Sequence, residues 1–344
     1  MPNVTMQDIA DQLGVSKVTV SKALNNKEGV GAAMKAKILE LAIDMGYRMN
    51  TIAKSLTVNA TFNIGIVVPE RFTNTGKYRS QNERSSFYMD FYQVVSKALE
   101  EEQYSAILQI VSQEDEDACI LPKLYLGNKI DGFIILGQVG HKYVELLQTT
   151  ELPVVFLDFY DEYMKMDSIT SDNFTGSYMI TNYLINNGFK DLAFVGNIYS
   201  TSSIQDRYLG YYKSLLEHKL TLKVENVISD RDESGQFIEL KYPEPMPEAF
   251  VCNCDQIANI VIRDLQKKGY KIPEDISVVG FDNSIYSSLS TPQITTVQVD
   301  TERMAKEGVR LILRKIEEPL YRIGKVAVKG TCIFKESVKL KDKI

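Results

Sequence analysis

Along the first 50 residues apolar positions recur at helical spacing; from Asn63 onward they gather into short unbroken runs separated by amphipathic stretches. Met6, Ile9, Ala10 and Leu13 follow i, i+3, i+4, i+7, one stripe of a short helix, and Thr5 with Asp8 three residues on reads as a capping box. Gly14 ends that helix. The next opens at Ser16, an N-cap residue type, and turns Thr19, Val20, Ala23 and Leu24 inward, leaving Lys17, Val18, Ser21 and Lys22 outward. A third helix is predicted from about Ala32 to Met45, with Ile38, Leu41, Ala42 and Met45 inward and Gly46 as its stop. Two short helices joined by a tight Gly turn, with a third behind them, predict an all-α helix-turn-helix core.

The later runs are IGIVV (64 to 68), SAILQIV (105 to 111), FIILG (133 to 137), PVVFLD (153 to 158), LAFVG (192 to 196), AFVC (249 to 252) and SVVGFD (277 to 282). Unbroken apolar runs, rather than alternating ones, predict parallel strands covered on both faces. Helical stretches lie between them, among them Phe91 to Glu102, Thr175 to Asn187 and Gln256 to Lys268. This alternation predicts a doubly wound α/β body, and such sheets bind ligands beyond the carboxyl ends of their strands.

Charge separates the two parts. The chain carries −6 overall, but residues 1 to 60 hold seven basic against five acidic residues, so a head of +2 precedes a body of −8. Only the head suits the phosphate backbone of nucleic acid. A helix entering the major groove places its first exposed turn against base edges, where Lys17 can donate to guanine and Val18 can touch a thymine methyl. Ser16, Ser21, Lys22 and Asn25 stand beside them as further candidates for DNA contact; on periodicity alone the same residues also fit the solvated face of a small bundle. No run approaches the roughly 18 consecutive apolar residues of a membrane span, and the start has no signal-peptide pattern, so a soluble cytoplasmic protein is expected. Four scattered cysteines and two histidines offer no four-ligand zinc site, and neither a metal nor a cofactor is expected.

The order of residues in VTMQDIADQLGVSKVTVSKALNN and KAKILELAIDMGYRMNTIAKSL closely resembles the N-terminal module of the LacI (lactose repressor) family. Val15-Ser16, Thr19-Val20-Ser21, Gly46-Tyr47 and then Asn50, Ala53, Lys54 and Leu56 fall on its motif; Met49 stands where proline is usual, Lys54 where arginine is usual, and Lys22 where arginine is frequent. The resemblance implies a transcriptional repressor acting as a homodimer on double-stranded operator DNA. It also implies a hinge helix over Asn50 to Leu56 that orders on DNA, with Leu56 as a minor-groove wedge and Ala53 small enough for close approach. Six or seven residues cannot sustain an isolated helix in water, which suits such a switch.

The same resemblance continues through SDNFTGSYMITNYLINNGFKDLAFVG, QDRYLGY, PEDISVVGFDN, TPQITTVQVD and FKES, and implies the two-lobed fold of periplasmic sugar-binding proteins. The expected organisation is a DNA-binding domain over 1 to 48, a hinge over 49 to 61, and an effector-binding and dimerisation body over 62 to 344. Within it the lobes are expected at about 62 to 165 with 300 to 325, and 166 to 299 with 326 to 344. Asp158, Arg207 and Asp282 fall on effector-contacting positions, and the effector implied is a carbohydrate or related small molecule. Polyols suit that set, since carboxylates accept from paired hydroxyls and a guanidinium donates to ring or hydroxyl oxygens. Asn253 and Asp255 are further candidates, although Cys254 replaces the family's Asn before Asp255 and Val299 replaces a Gln of some members. Tyr88 is the aromatic candidate; Phe87 and Phe91 sit at core spacing. The polar stretch Arg71 to Ser86 is longer than the family's first crevice loop and reads as a lid or a partner surface.

Two other functions fit parts of the sequence. A carbohydrate-active enzyme could use Asp158 and Asp282 as an acid/base pair, but GxSxG, GxxxxGK[ST] and HExxH are all missing from the sequence, and the head would be unexplained. A transport-type binding protein would share the body and lack the head.

Overall fold

The computed structural model describes residues 4–24, 27–47, 60–73, 87–161, 163, 166–233 and 235–340. The chain divides into two units, residues 1–60 and 61–344. The first holds three helices, α1 (Met6–Leu13), α2 (Lys17–Leu24) and α3 (Ala32–Asp44). Both halves of the capping box form: the Thr5 amide donates to Asp8 Oδ2 at 2.7 Å and the Asp8 amide to Thr5 Oγ1 at 3.3 Å. Gly14 closes α1 with φ 63°, a left-handed conformation that glycine adopts without the Cβ penalty. Ser16 Oγ accepts the Thr19 amide at 3.1 Å and so caps α2. Ile9, Ala10, Val20, Ala23, Ile38 and Ala42 form the core of this unit.

The second unit contains two parallel sheets. The first has six strands: β1 (Asn63–Pro69), β2 (Ser105–Val111), β3 (Gly132–Leu136), β4 (Val154–Leu157), β5 (Asp167–Ser171) and, late in the chain, Lys325–Val328; its order is Lys325–Val328, β5, β4, β3, β1, β2. The second has β6 (Leu192–Val195), β7 (Val227–Ile228), β8 (Ala249–Cys252) and β9 (Ser277–Val279) in the order β7, β6, β8, β9. A short antiparallel pair, β10 (Thr296–Gln298) with Thr331–Ile333, lies where the chain passes between the lobes. Taking Lys325–Val328 as β11 and Thr331–Ile333 as β12 completes the strands in chain order.

Helices cover the sheets. Phe87–Glu101 (α4) packs on β1 and β2 of the first lobe and against Thr301–Glu317, which covers β3, β4 and β5, and Asn173–Asn186 packs against Ser202–Glu217 in the second. The last two carry the site and are named helix N (Asn173–Asn186) and helix R (Ser202–Glu217) below.

Two sequence expectations shift. The lobe crossing expected near 165 falls after Ser171, and that expected near 325 falls after Val328, because β5 and β11 both hydrogen-bond within the first sheet. The run Asp167–Ser171, DSITS, is too polar to announce a strand, yet all five residues are buried, with Asp167 Oδ2 accepting from Lys315 Nζ. Strand β2 reads as a doubly covered run but is the sheet edge, so Ile110 remains 37% exposed. SVVGFD continues as strand only to Val279, after which the chain turns into the site.

Candidate functional site

In the head, α2 presents Lys17, Val18 and Lys22 to solvent, while Ser21 is half-buried. Val18 is 63% exposed, an apolar side chain held outward on the first turn by Val20 and Ala23 facing in. Ser16 is exposed, and its oxygen is engaged at the helix start, where it also meets Thr19 Oγ1 at 2.8 Å. Asn25 and the hinge candidates Asn50, Ala53, Lys54 and Leu56 lie outside the described residues, as does most of the 71 to 86 stretch.

In the body a cleft of about 810 Å³ is lined from the first lobe by Arg71, Phe72, Tyr88, Gln138 and Asp158, and from the second by Arg207, Arg231, Phe237, Cys254 and Asp282, among others. Asp158 follows β4 and Asp282 follows β9, both at strand carboxyl ends. Both adopt left-handed backbone, with φ 57° and 100°. Such conformations cost of order 1–3 kcal/mol each and are held by surrounding structure; here they swing the carboxylates off the strand direction toward the cleft.

Arg207, on helix R, is 6% exposed and fully engaged. Its Nε donates to Asn173 Oδ1 at 2.7 Å, Nη1 donates to the Asn253 carbonyl, Nη2 pairs with Asp282 Oδ1 at 3.2 Å, and the guanidinium lies 3.9 Å over the Phe281 ring. Helix R can place Arg207 there because Gly210, one turn on, lets the two helices touch. Across the cleft Tyr88 Oη donates to Asp158 Oδ2 at 3.0 Å. Asp158 Oδ1 is buried with no hydrogen-bond partner among the described residues.

Burial sets the electrostatics. It raises the Asp158 carboxyl above its ordinary range although Arg207 and the Tyr88 hydroxyl oppose it, and it pushes Asp282 up to about 7 against the pull of Arg207. Burial, followed by the neighbouring Asp158 carboxylate, likewise raises the Tyr88 hydroxyl well above a free tyrosine.

The other candidates are placed differently. Asn253 lines the cleft, but its amide donates at 2.9 Å to both the Val195 carbonyl and Asp230 Oδ2, and its Oδ1 accepts from Arg231 Nη2 at 3.3 Å. Its backbone carbonyl, holding Arg207, is what serves the site. Asp255, expected at the effector, is fully buried behind it: Oδ1 accepts from Thr296 Oγ1 at 2.6 Å and Oδ2 from the Ser284 amide at 2.7 Å, and it does not line the cleft. Phe91 is core, whereas Phe87 also reaches the cleft wall.

Arg71, Gln138, Asn173, Asp230 and Arg231 were not singled out from sequence. Arg231 pairs with the fully buried Asp230 at 2.7 Å and lies 5.0 Å over Phe237. Arg71 pairs with Glu116 at 2.7 Å and donates to Gln113 and to the Gln138 carbonyl. Asp230 follows β7 as Asp158 follows β4, so the strand-end rule would have reached it had a two-residue strand been visible. Among the described residues no cluster of metal-ligating side chains occurs, and no helix is long and apolar enough to cross a membrane.

The family model "Bacterial regulatory proteins, lacI family" matches residues 5–50, and a periplasmic binding protein-like domain matches residues 181–338. The chain is 30% identical over 343 residues to the probable HTH-type transcriptional repressor ExuR of Bacillus subtilis (strain 168), covering 98% of both chains. It is 26% identical over 343 residues to catabolite control protein A of Priestia megaterium, covering 98% of this chain and 100% of that one. In fold it is similar to the lac repressor dimer bound to operator and the anti-inducer ONPF, with TM-score 0.69 at 19% identity over 98% of this chain and 99% of that one. It is also similar to the CelR–cellobiose complex, with TM-score 0.68 at 21% identity over 97% and 100%. The chain belongs to the LacI family of bacterial regulatory proteins and is a DNA-binding transcriptional regulator.

Proposed function

We propose that this regulator is a cytoplasmic homodimeric repressor that binds an operator through α2 and is controlled by a neutral polyhydroxylated small molecule, a sugar or sugar derivative, held between the lobes of the body. The observation that carries the ligand reading is the convergence of Asp158, whose Oδ1 has no hydrogen-bond partner among the described residues, from one lobe and the Arg207–Asp282 pair from the other. A buried carboxylate oxygen without a donor costs free energy that a ligand hydroxyl would recover. Tyr88 orients Asp158, and the Asn253 carbonyl orients Arg207. Asp255 supports the loop after β9 from behind.

On the DNA side, Lys17 and Val18 read bases, Ser21 and Lys22 reach bases or phosphates, Ser16 fixes the helix start, and Asn25 lies just beyond it. Asn50, Ala53, Lys54 and Leu56 form the hinge, with Leu56 as wedge. Two heads on a two-fold operator double the contacts of one, which is the reason for the dimer. Binding rather than turnover is the output of the cleft.

A thermal-shift screen of sugars and nucleosides against the full chain tests the ligand reading, since a ligand at 100 times its dissociation constant stabilises by about 2.7 kcal/mol. A hit that Asp158→Asn abolishes supports it. Equal stabilisation of wild type and Asp158→Asn by every hit would contradict it.

A further inference from the structure

We infer that one face of helix R is clasped by the opposite lobe, and that Tyr160, Lys325 and Gln138 are positioning residues which set how readily the cleft closes on its ligand. This rests on the effector reading above only for its second test. Helix R belongs to the second lobe: Gly210 and Ser214 pack on helix N, and Ser214 Oγ donates to the Tyr178 carbonyl at 3.1 Å. Its N-terminal turns reach the other way. The Ser202 amide donates to Gln138 Oε1, from the loop after β3, at 2.9 Å. Four residues on, Asp206 receives the Tyr160 hydroxyl, from the loop after β4, at 3.0 Å and 3.1 Å on its two oxygens.

Lys325, the first residue of β11, completes the arrangement. Its Nζ lies 3.1 Å from the centroid of the Tyr160 ring and 4.0 Å from Asp206 Oδ2. Ser202 and Asp206 share a helix face by their i, i+4 spacing, and Arg207, one position on, is rotated about 100° away into its own lobe. One helix therefore carries the cleft's arginine on one side and an interlobe contact on the other.

Gln138 is held in turn by Arg71, which donates to its carbonyl and is braced by Glu116, itself accepting the Gly140 amide at 2.7 Å. The exposed Lys325–Asp206 pair alone would contribute little. The phenol-to-carboxylate bond is charge-assisted, and the ammonium over the tyrosine ring adds to it. These contacts consist wholly of the chain's own atoms, so they favour closure whatever the cleft holds. Part of the closing free energy is then supplied by the protein, and the ligand's apparent affinity rises with the fraction of closed lobes.

The test is double electron–electron resonance between spin labels at Lys97 and Lys267, exposed helix positions of the two lobes, in full-length protein diluted with unlabelled chain and without added ligand. Labels enter through a non-cysteine handle because the chain has four cysteines. Asp206→Ala, and separately Tyr160→Phe, are expected to move the distance distribution away from the wild-type one toward longer separations. A distribution unchanged in both variants overturns the clasp, whether or not any sugar binds. With a ligand from the screen, both variants are expected to bind about tenfold more weakly, the effect of one charge-assisted hydrogen bond on the closing equilibrium. Unchanged affinity would refute the link to ligand binding. Absence of any ligand together with a shifted distribution would sink the effector reading and leave the clasp standing.

Discussion

Replacing Gly210 by alanine tests how helix R positions Arg207. A Cβ built at Gly210 would lie 2.2 Å from the Phe174 carbonyl oxygen and 3.0 Å from the Tyr178 amide nitrogen, both backbone atoms of helix N. Ordinary contact begins near 3.4 Å, so the helices must separate by roughly 1 Å. Neither partner is a flexible side chain that could swing aside. Overpacking of this kind costs about 1–3 kcal/mol, with the backbone partners placing it toward the upper end. The same separation would stretch the 2.7 Å bond from Arg207 Nε to Asn173 Oδ1, and a displacement of about 1 Å at a positioned group can cost on the order of a hundredfold in function. Urea unfolding of Gly210→Ala should show a lower midpoint for the body, and titration with a screened ligand should show at least tenfold weaker binding. Wild-type stability together with wild-type ligand affinity would refute the claim that the close helix contact sets the arginine.

Asp255→Asn probes buried charge, since its amide can still accept from the Ser284 amide and donate to Thr296 Oγ1. Burial, then the Asp282 carboxylate, pushes Asp255 up to about 8, whereas an unfolded carboxyl titrates near 4. Between those values the unfolded chain releases a proton that the native one keeps, so wild-type stability from this group is full below about 4 and lost as pH rises through 8. The variant should match wild type near pH 4 and become the more stable of the two by pH 8 in thermal melts; parallel curves would count against the assignment. Lys17→Ala should cost about 1–3 kcal/mol at one operator base pair in a binding-site selection, while an equal loss on every duplex would reduce Lys17 to a phosphate contact. Thr5→Ala, which removes the α1 cap, should destabilise the head by about 0.5–2 kcal/mol by circular dichroism, and an unchanged melt would show that the cap is redundant.

The head was legible because α1 and α2 are short, capped by Thr5 and Ser16, and turn one apolar face inward, so local chemistry decides them. The central strands of the body were legible for a related reason: IGIVV, FIILG and LAFVG are covered on both faces and carry no polar interruption. What escaped was decided by tertiary context. The DSITS strand is polar and still buried: its charged residue, Asp167, is met by Lys315 and by the amides of Ile323 and Gly324, which lie far along the chain.

At the site, the positions of Asp158 and Asp282 after strands, and the resemblance that runs through QDRYLGY, offered Asp158, Arg207 and Asp282 as candidates, and all three line the cleft. Asp255 looked equivalent but is used as a bracket, because Thr296 and Ser284 approach it from segments whose proximity the sequence does not announce. Asn253 differs from the expectation in a similar way, its side chain absorbed by Val195, Asp230 and Arg231. The cross-lobe partners of helix R, Gln138, Tyr160 and Lys325, are 46 or more positions in sequence from the residues they meet and become visible only in three dimensions.

The central claim is that the cleft controls the head, and fluorescence anisotropy of a labelled operator duplex, obtained by selection from random DNA, tests it most directly. Wild-type protein should change its duplex affinity by 5- to 150-fold when a cleft ligand is added, the usual span of coupling between two sites. Folded Arg207→Ala should bind the same duplex with wild-type affinity and show no response to the ligand. Loss of duplex binding by that variant, or a wild-type affinity that stays constant while the ligand saturates the cleft, would contradict the account.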